Sequence, residues 1–315
     1  MDGPSHNLQP TTHNLSLPMR TLAAAFVAAL SLASPSRAQS PHPEYLVTTA
    51  WLAEHLQDPD VVVLQVGHTD ESYRAGHVPG ARFLPLAAVA TTVGGIANEF
   101  PPPSEIVATF RALGVGDRAR IVIYGDDPGL LAARAWVALD LLGQSARASI
   151  LDGGYARWTA ERRPVETTLR APEPRPFGGQ WRADGVVSAG WVRAHLGDTA
   201  VLLVDARPPD QWAGGAADPR SGHVPGARSV YWMNGLVSAG DPVLKPVAAL
   251  IGELWGPAGA MRPGVRTLVT YCRTGMQASH DYFVARYLGL ADVRLYDGSM
   301  SEWNALAYPV ERSAP

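Results

Sequence analysis

Gly76-His77-Val78-Pro79-Gly80-Ala81-Arg82 recurs letter for letter as Gly222-His223-Val224-Pro225-Gly226-Ala227-Arg228. Three further blocks keep the same order. Val61-Val62-Val63-Leu64-Gln65-Val66 matches Val201-Leu202-Leu203-Val204-Asp205, and Ile121-Val122-Ile123-Tyr124 matches Thr267-Leu268-Val269-Thr270-Tyr271. Leu151-Asp152-Gly153-Gly154 with Trp158 matches Tyr296-Asp297-Gly298-Ser299 with Trp303. Collinear matches of this kind are a tandem duplication, and so long a period means two domains rather than a solenoid.

The repeats delimit the chain. Domain one is read as 44–165 and domain two as 183–312. Between them, 166–182 is rich in Pro and Gly (Pro172, Pro174, Pro176, Gly178, Gly179), and alternating prolines favour an extended, semi-rigid linker. Trp51–Leu56 and Trp191–Leu196 read as short helices. The Val/Leu/Ile runs read as strands apolar on both faces, as in parallel sheets covered by helices. Leu130–Leu142 and Ser279–Leu288 carry apolar residues at helical spacing, with Gly143 and Gly289 as stops. Each unit is therefore α/β, with a central, mostly parallel sheet flanked by helices.

With 46% hydrophobic and 17% charged residues in 315, the chain suits a soluble protein of about two domains. A net charge of -3 gives no electrostatic footprint for nucleic acid. The single cysteine excludes an intramolecular disulfide and a Cys-based zinc site, and the nine histidines show no H-E-x-x-H spacing, so no metal is expected.

Residues 1–38 read as a targeting segment. Met19-Arg20, an apolar stretch from Thr21 to Ala33 and Ser36-Arg37-Ala38 form a basic start, a hydrophobic region and a small-x-small cleavage site. Cleavage is expected after Ala38, with Met19 as the true start; an uncleaved anchor or a disordered tail is the alternative. The stretch is too short for a good membrane span. Periplasmic or secreted localisation follows, with no membrane attachment after cleavage.

Cys272 lies in Tyr271-Cys272-Arg273-Thr274-Gly275-Met276-Gln277-Ala278, between a strand-like run and a helix-like stretch. A lone cysteine is by count more often an inert, buried hydrophobe. Its neighbours argue otherwise. Arg273 sets a cation beside the sulfur, Gly275 permits a close turn, Thr274 and Gln277 offer polar groups, and consecutive amides of Arg273–Gln277 form an anion nest. The nest and the helix N-terminus are expected to favour thiolate over thiol. Two chemistries use such a cradle, thiol-based phosphate hydrolysis and sulfur transfer; the first needs an arginine where Ala278 stands, which counts against it.

With these residues the chain resembles tandem-domain rhodanese-type sulfurtransferases over residues 44–312. The marks are the G-H-V-P-G-A turn in both halves, Asp205-Ala206-Arg207, the C-R-x-G-x loop and the D-G-x-x-x-W segment. The resemblance implies a catalytic second domain whose Cys272 cycles through a persulfide, and a first domain without the nucleophile. The position matching Cys272 is Gly125, or Asp126 if the loop shifts by one. No metal or organic cofactor is implied. The partners are a small-molecule sulfur donor and a thiophilic acceptor such as cyanide or a thiol, and the protein is read as a monomer.

The donor is read as thiosulfate from Arg273, with 3-mercaptopyruvate as the alternative from the Thr274 hydroxyl and a non-catalytic envelope sulfur carrier as a third reading. The resemblance places an arginine where Gln211 stands, and Arg220 is a candidate replacement. Arg207 and His77 are further candidates for substrate contact, although both also read as structural. Asp152 and Asp297 read as tying turns, and Trp158 and Trp303 as core or interface aromatics. Trp232 and Met233 read as pocket or core, and His280 and Asp281 as solvated surface.

Overall fold

The computed structural model describes residues 1–3, 42–169, 171–215, 217–218 and 220–313. The expected targeting segment and its cleavage site at Ala38 lie outside the described residues. The chain divides into Met1–Ser36 and Arg37–Pro315, and both repeats belong to the second unit.

The first repeat runs β1 (Leu46–Val47), α1 (Thr49–His55), β2 (Val61–Gly67), α2 (Glu71–Ala75), β3 (Arg82–Pro85), β4 (Thr91–Val93), β5 (Ile96–Glu99), α3 (Pro103–Ala112), β6 (Arg120–Gly125), α4 (Leu130–Leu141), β7 (Ala148–Leu151) and α5 (Gly154–Ala160). The second runs α6 (Ala189–Ala194), β8 (Val201–Asp205), α7 (Pro209–Ala213), β9 (Arg228–Ser229), α8 (Val247–Ala249), β10 (Thr267–Tyr271), α9 (Met276–Tyr287), β11 (Val293–Leu295) and α10 (Ser299–Ala305). The first sheet has the order β1-β7-β6-β2-β3 and the second β11-β10-β8-β9. Every pairing within these two sheets is parallel. An antiparallel β4–β5 hairpin stands apart.

Parallel strands buried on both faces need no polar alternation, which is why β2 and β10 read as continuous apolar runs. Gly143 and Gly289 follow α4 and α9 at φ 74° and 88°, the left-handed stop expected of them. Helix α9 begins at Met276, earlier than its apolar spacing suggests. Its first turn is the far side of the cysteine loop.

The G-H-V-P-G-A-R turn has the same task in both halves. The Val78 amide donates to the Tyr124 hydroxyl (3.0 Å), and the Val224 amide to that of Tyr271 (3.1 Å). Gly80 N donates to Glu166 Oε1 and Gly226 N to Glu311 Oε2, both at 2.7 Å. Trp158 and Trp303 are fully buried and donate their indole N–H to Pro164 O and Pro309 O. A second repeated signal, Pro164-Val165-Glu166 against Pro309-Val310-Glu311, thus closes each unit on its own turn.

The linker does not bridge open space. Phe177 is buried against Phe110, its carbonyl takes Arg111 Nε (2.7 Å), and Gln144 Nε2 donates to Gly178 O (2.9 Å). The halves share one core. Trp136 of α4 meets Phe283 of α9 edge to face at 4.9 Å, and a single apolar cluster runs through both. Helices α4 and α9 follow the matching loops of the two repeats, so this packing brings those loops to one seam.

Candidate active site

Strand β10 ends at Tyr271, and Cys272 follows at the carboxyl edge of the sheet, where ligands of open α/β sheets bind. Strand register aligns Tyr124 with Gln65 and Tyr271 with Asp205, and both tyrosines hold the repeated turn. Gly125, not Asp126, therefore occupies the place of Cys272.

The sulfur lies in a cradle of backbone donors. The amides of Ala278, Thr274 and Gln277 lie around it and favour its anion. Two of these, Gln277 and Ala278, belong to the first turn of α9, whose N–H groups have no partner within the helix. Gly275 caps that helix at φ 83°, and a Cβ there would stand 2.1 Å from Asp297 Oδ1. Only glycine fits.

Ser299, which sequence reasoning passed over, fixes the loop from beneath. Its Oγ accepts from the amides of Cys272 and Gly275, each at 3.1 Å, and donates to Tyr296 O (2.9 Å). Met300 N donates to Cys272 O and Ser301 N to Arg273 O. The D-G-x-x-x-W segment thus cradles the loop, and its interior serine was the available signal.

Burial acts against the cradle. Cys272 is 1% exposed, and desolvation pushes its thiol above the ordinary range despite the three amides, with the Asp205 charge adding to the rise. The expected net preference for thiolate is thereby corrected for the resting protein: the donors offset desolvation but do not outweigh it.

Beside the loop opens a cavity of about 390 Å³, lined by Arg207, Gln211, Asp218, Arg220, Ser221, Arg273, Met300, Ser301 and Asn304. Arg207 is nearly buried and bound to Asp205 (Nη2–Oδ2 2.6 Å) and to Gly222 O (2.7 Å), so its charge is largely committed. Arg220 and Arg273 are exposed and face the cavity, as does Gln211. Gln277 contributes through its backbone amide, and Met276 packs against the apolar core.

His77 is not at this cavity. It is fully buried, stacks on Tyr73 at 3.9 Å, and its Nδ1 lies 2.7 Å from Tyr73 O. His223 repeats the arrangement on Trp212, so the substrate contact considered for His77 is corrected to a structural role, the same in both turns. His280 and Asp281 are buried, not solvated, because α9 is covered by both halves. Desolvation holds the His280 imidazole neutral, with a pKa of about 4. Trp232 belongs to the core and meets His280 edge to face.

The first half reaches into the site, which no local motif indicated. Asn98, at the end of the β4–β5 hairpin, donates from Nδ2 to Thr274 Oγ1 (3.0 Å). Arg134 of α4 is fully buried and binds Asp297 through both terminal nitrogens (2.6 and 2.8 Å). Its Nη2 also donates to Asn98 O and its Nε to Val89 O. Glu99, beside this pair, is raised to a pKa of about 7 by burial and by the Asp297 and Glu302 charges, against the pull of Arg134.

The first-half loop is closed on itself. Leu130 N and Leu131 N donate to the Asp127 carboxylate (2.8 and 3.2 Å), so Asp127 takes the helix-terminal donors that α9 offers to the sulfur. A Cβ on Gly125 would stand 2.6 Å from Asp127 Oδ1, and a cavity of only about 30 Å³ remains there.

Comparison with known proteins agrees with this geometry. The Rhodanese-like domain family matches residues 48–161 and 188–306. The protein named "Probable 3-mercaptopyruvate sulfurtransferase" of Pseudomonas aeruginosa is 34% identical over 82% of this chain and 94% of its own length. The thiosulfate sulfurtransferase of Azotobacter vinelandii is 29% identical over 84% of this chain and 96% of its own. The crystal structure of SseA from Escherichia coli, of the 3-mercaptopyruvate sulfotransferases, superposes with a TM-score of 0.68 at 24% identity, over 81% of this chain and 98% of that one. The chain belongs to the rhodanese-like family, as a sulfurtransferase built from two tandem rhodanese-like domains.

Proposed function

We propose that the protein transfers a sulfane sulfur from thiosulfate to a thiophilic acceptor through a persulfide on Cys272. The Cys272 thiolate attacks the outer sulfur of the donor, a new S–S bond forms, and sulfite leaves with the electron pair of the old one. Cyanide or a thiol then attacks the outer sulfur of the persulfide and releases the thiolate, a two-step covalent cycle. The observation that carries this reading is the triple amide cradle at the sulfur, which stabilises negative charge in both half-reactions. Arg220 and Arg273 at the cavity favour a dianionic donor by Coulomb attraction.

A second donor, 3-mercaptopyruvate, is favoured by the Thr274 hydroxyl in the cysteine loop. Export to the periplasm, with a monomeric mature chain beginning at Gln39, is part of the proposal and rests on Met19–Ala38. Intact mass of protein recovered from the expressing cells' periplasm reads both points at once. The expected mass is that of residues 39–315, gaining one sulfur atom with donor and losing it with cyanide. A Cys272→Ser chain that still gains and transfers sulfur defeats the mechanism. Recovery of unprocessed chain in the cytoplasm defeats the export reading alone.

A further inference from the structure

The two halves exchange arms. The β4–β5 hairpin of the first half reaches the second-half loop, where the Phe100 amide donates to Asp297 Oδ2 (3.1 Å). In the second half, an arm closed by the Leu236–Leu244 bridge reaches the first-half loop, where the Leu244 amide donates to Asp152 Oδ1 (3.0 Å). Asp152 and Asp297 are matched residues of the duplication, so the two arms correspond. Two residues before these amides stand Pro242 and Asn98. Pro242 lies against the loop that lacks a nucleophile, and it carries no side-chain donor. Asn98 lies against the cysteine loop and donates to Thr274. A polar arm residue thus occurs where there is chemistry to serve.

We propose that Asn98 is a specificity-determining positioning residue: it holds the Thr274 hydroxyl as a proton donor toward the leaving group, which lets the site use donors whose leaving group must be protonated. This rests on the persulfide reading of Cys272. A hydroxyl has one hydrogen and two lone pairs, whereas the amide nitrogen of Asn98 only donates. Its bond occupies one lone pair of Oγ1 and turns the hydroxyl hydrogen elsewhere. Thr274 also gives its backbone amide to the sulfur, so Asn98 acts on a residue of the cradle itself. Asn98 is itself held, with φ 65° and its carbonyl taking Arg134 Nη2.

The two donors differ in what they need. With thiosulfate, Cys–S⁻ and S–SO₃²⁻ give Cys–S–S⁻ and SO₃²⁻, and no proton moves. With 3-mercaptopyruvate, Cys–S⁻ attacks the thiol sulfur, the C–S bond breaks, and its electron pair leaves on carbon as the enolate of pyruvate. The outer sulfur then carries the thiol hydrogen. Thr274 gives its proton to the enolate carbon and takes that hydrogen on its second lone pair, leaving Cys–S–S⁻ and pyruvate.

The test is steady-state transfer to cyanide by the purified full chain with each donor. Asn98→Gly keeps the left-handed backbone and removes the donor, and Asn98→Asp keeps size and backbone but replaces donor with acceptor. The expected ratio of kcat/KM for 3-mercaptopyruvate to that for thiosulfate falls about tenfold in N98G, the scale of one lost orienting bond. It falls further in N98D, where the carboxylate accepts the hydroxyl hydrogen. In a Thr274→Val background, N98G no longer alters the ratio. An unchanged ratio in both variants, or equal loss with both donors, reduces Asn98 to a prop and overturns the proposal. So does a wild-type chain that uses thiosulfate but not 3-mercaptopyruvate. Transfer surviving in Cys272→Ser instead places the failure in the persulfide reading.

Discussion

Cys272 is held by two opposed effects whose balance sets its resting state. Burial favours the neutral thiol, and three amides favour the anion. Because the pKa is raised, the thiolate fraction at neutral pH lies below that of a small free thiol. Alkylation of Cys272 by iodoacetamide is therefore expected to be slow at pH 7 and to keep rising beyond the ordinary thiol range, near about 8.5. A plateau below that range would show that the cradle outweighs burial. At this scale the sequence was legible where chemistry is solitary: one cysteine, with a glycine and an arginine beside it. Ser299 left only the interior serine of the D-G-x-x-x-W segment as a signal, and Asn98 and Arg134 left none, because each acts through a partner distant in the chain.

Two loops on matching elements have diverged in what fills them. In the second half, α9 starts at Met276, directly after Cys272-Arg273-Thr274-Gly275, and its free amides face a sulfur. In the first half one more residue precedes α4, and Asp127 takes those amides itself. Restoring the nucleophile alone should therefore not restore the activity. Gly125→Cys, placed in a Cys272→Ser chain, is expected to gain no donor sulfur by intact mass, because Asp127 holds the donors and crowds the new Cβ. Sulfur loading at residue 125 would show that the cradle is open after all. The expected order of strands and helices was readable from apolar runs and glycine stops. The start of α9 was not, since its first turn is polar and its cap is the glycine of the loop.

The whole molecule depends on a seam that joins the repeats through a buried ion pair. Arg134 and Asp297 are both essentially inaccessible, and Arg134 also stacks over the Phe100 ring at 3.5 Å. Removing one partner leaves an uncompensated buried charge. Arg134→Met is expected to cost about 3–5 kcal/mol in urea unfolding, with much of the loss recovered in the Arg134→Met, Asp297→Leu double variant. A loss below about 1 kcal/mol would show that water reaches the seam and satisfies Asp297.

The sequence by itself determined the duplication and the α/β class of each unit, and it singled out Cys272 as the proposed nucleophile. These are carried by local or repeated patterns: strands apolar on both faces, a copied turn and a single thiol. The tertiary structure alone decided that the halves share one core, that each lends an arm to the other's loop, and that His77 serves the fold while Asn98 reaches the site. It also decided the burial of Cys272. The reason is physical: burial and hydrogen-bond geometry depend on which distant segments meet, and here Asn98 meets Thr274, and Arg134 meets Asp297, only after the two sheets have formed and packed.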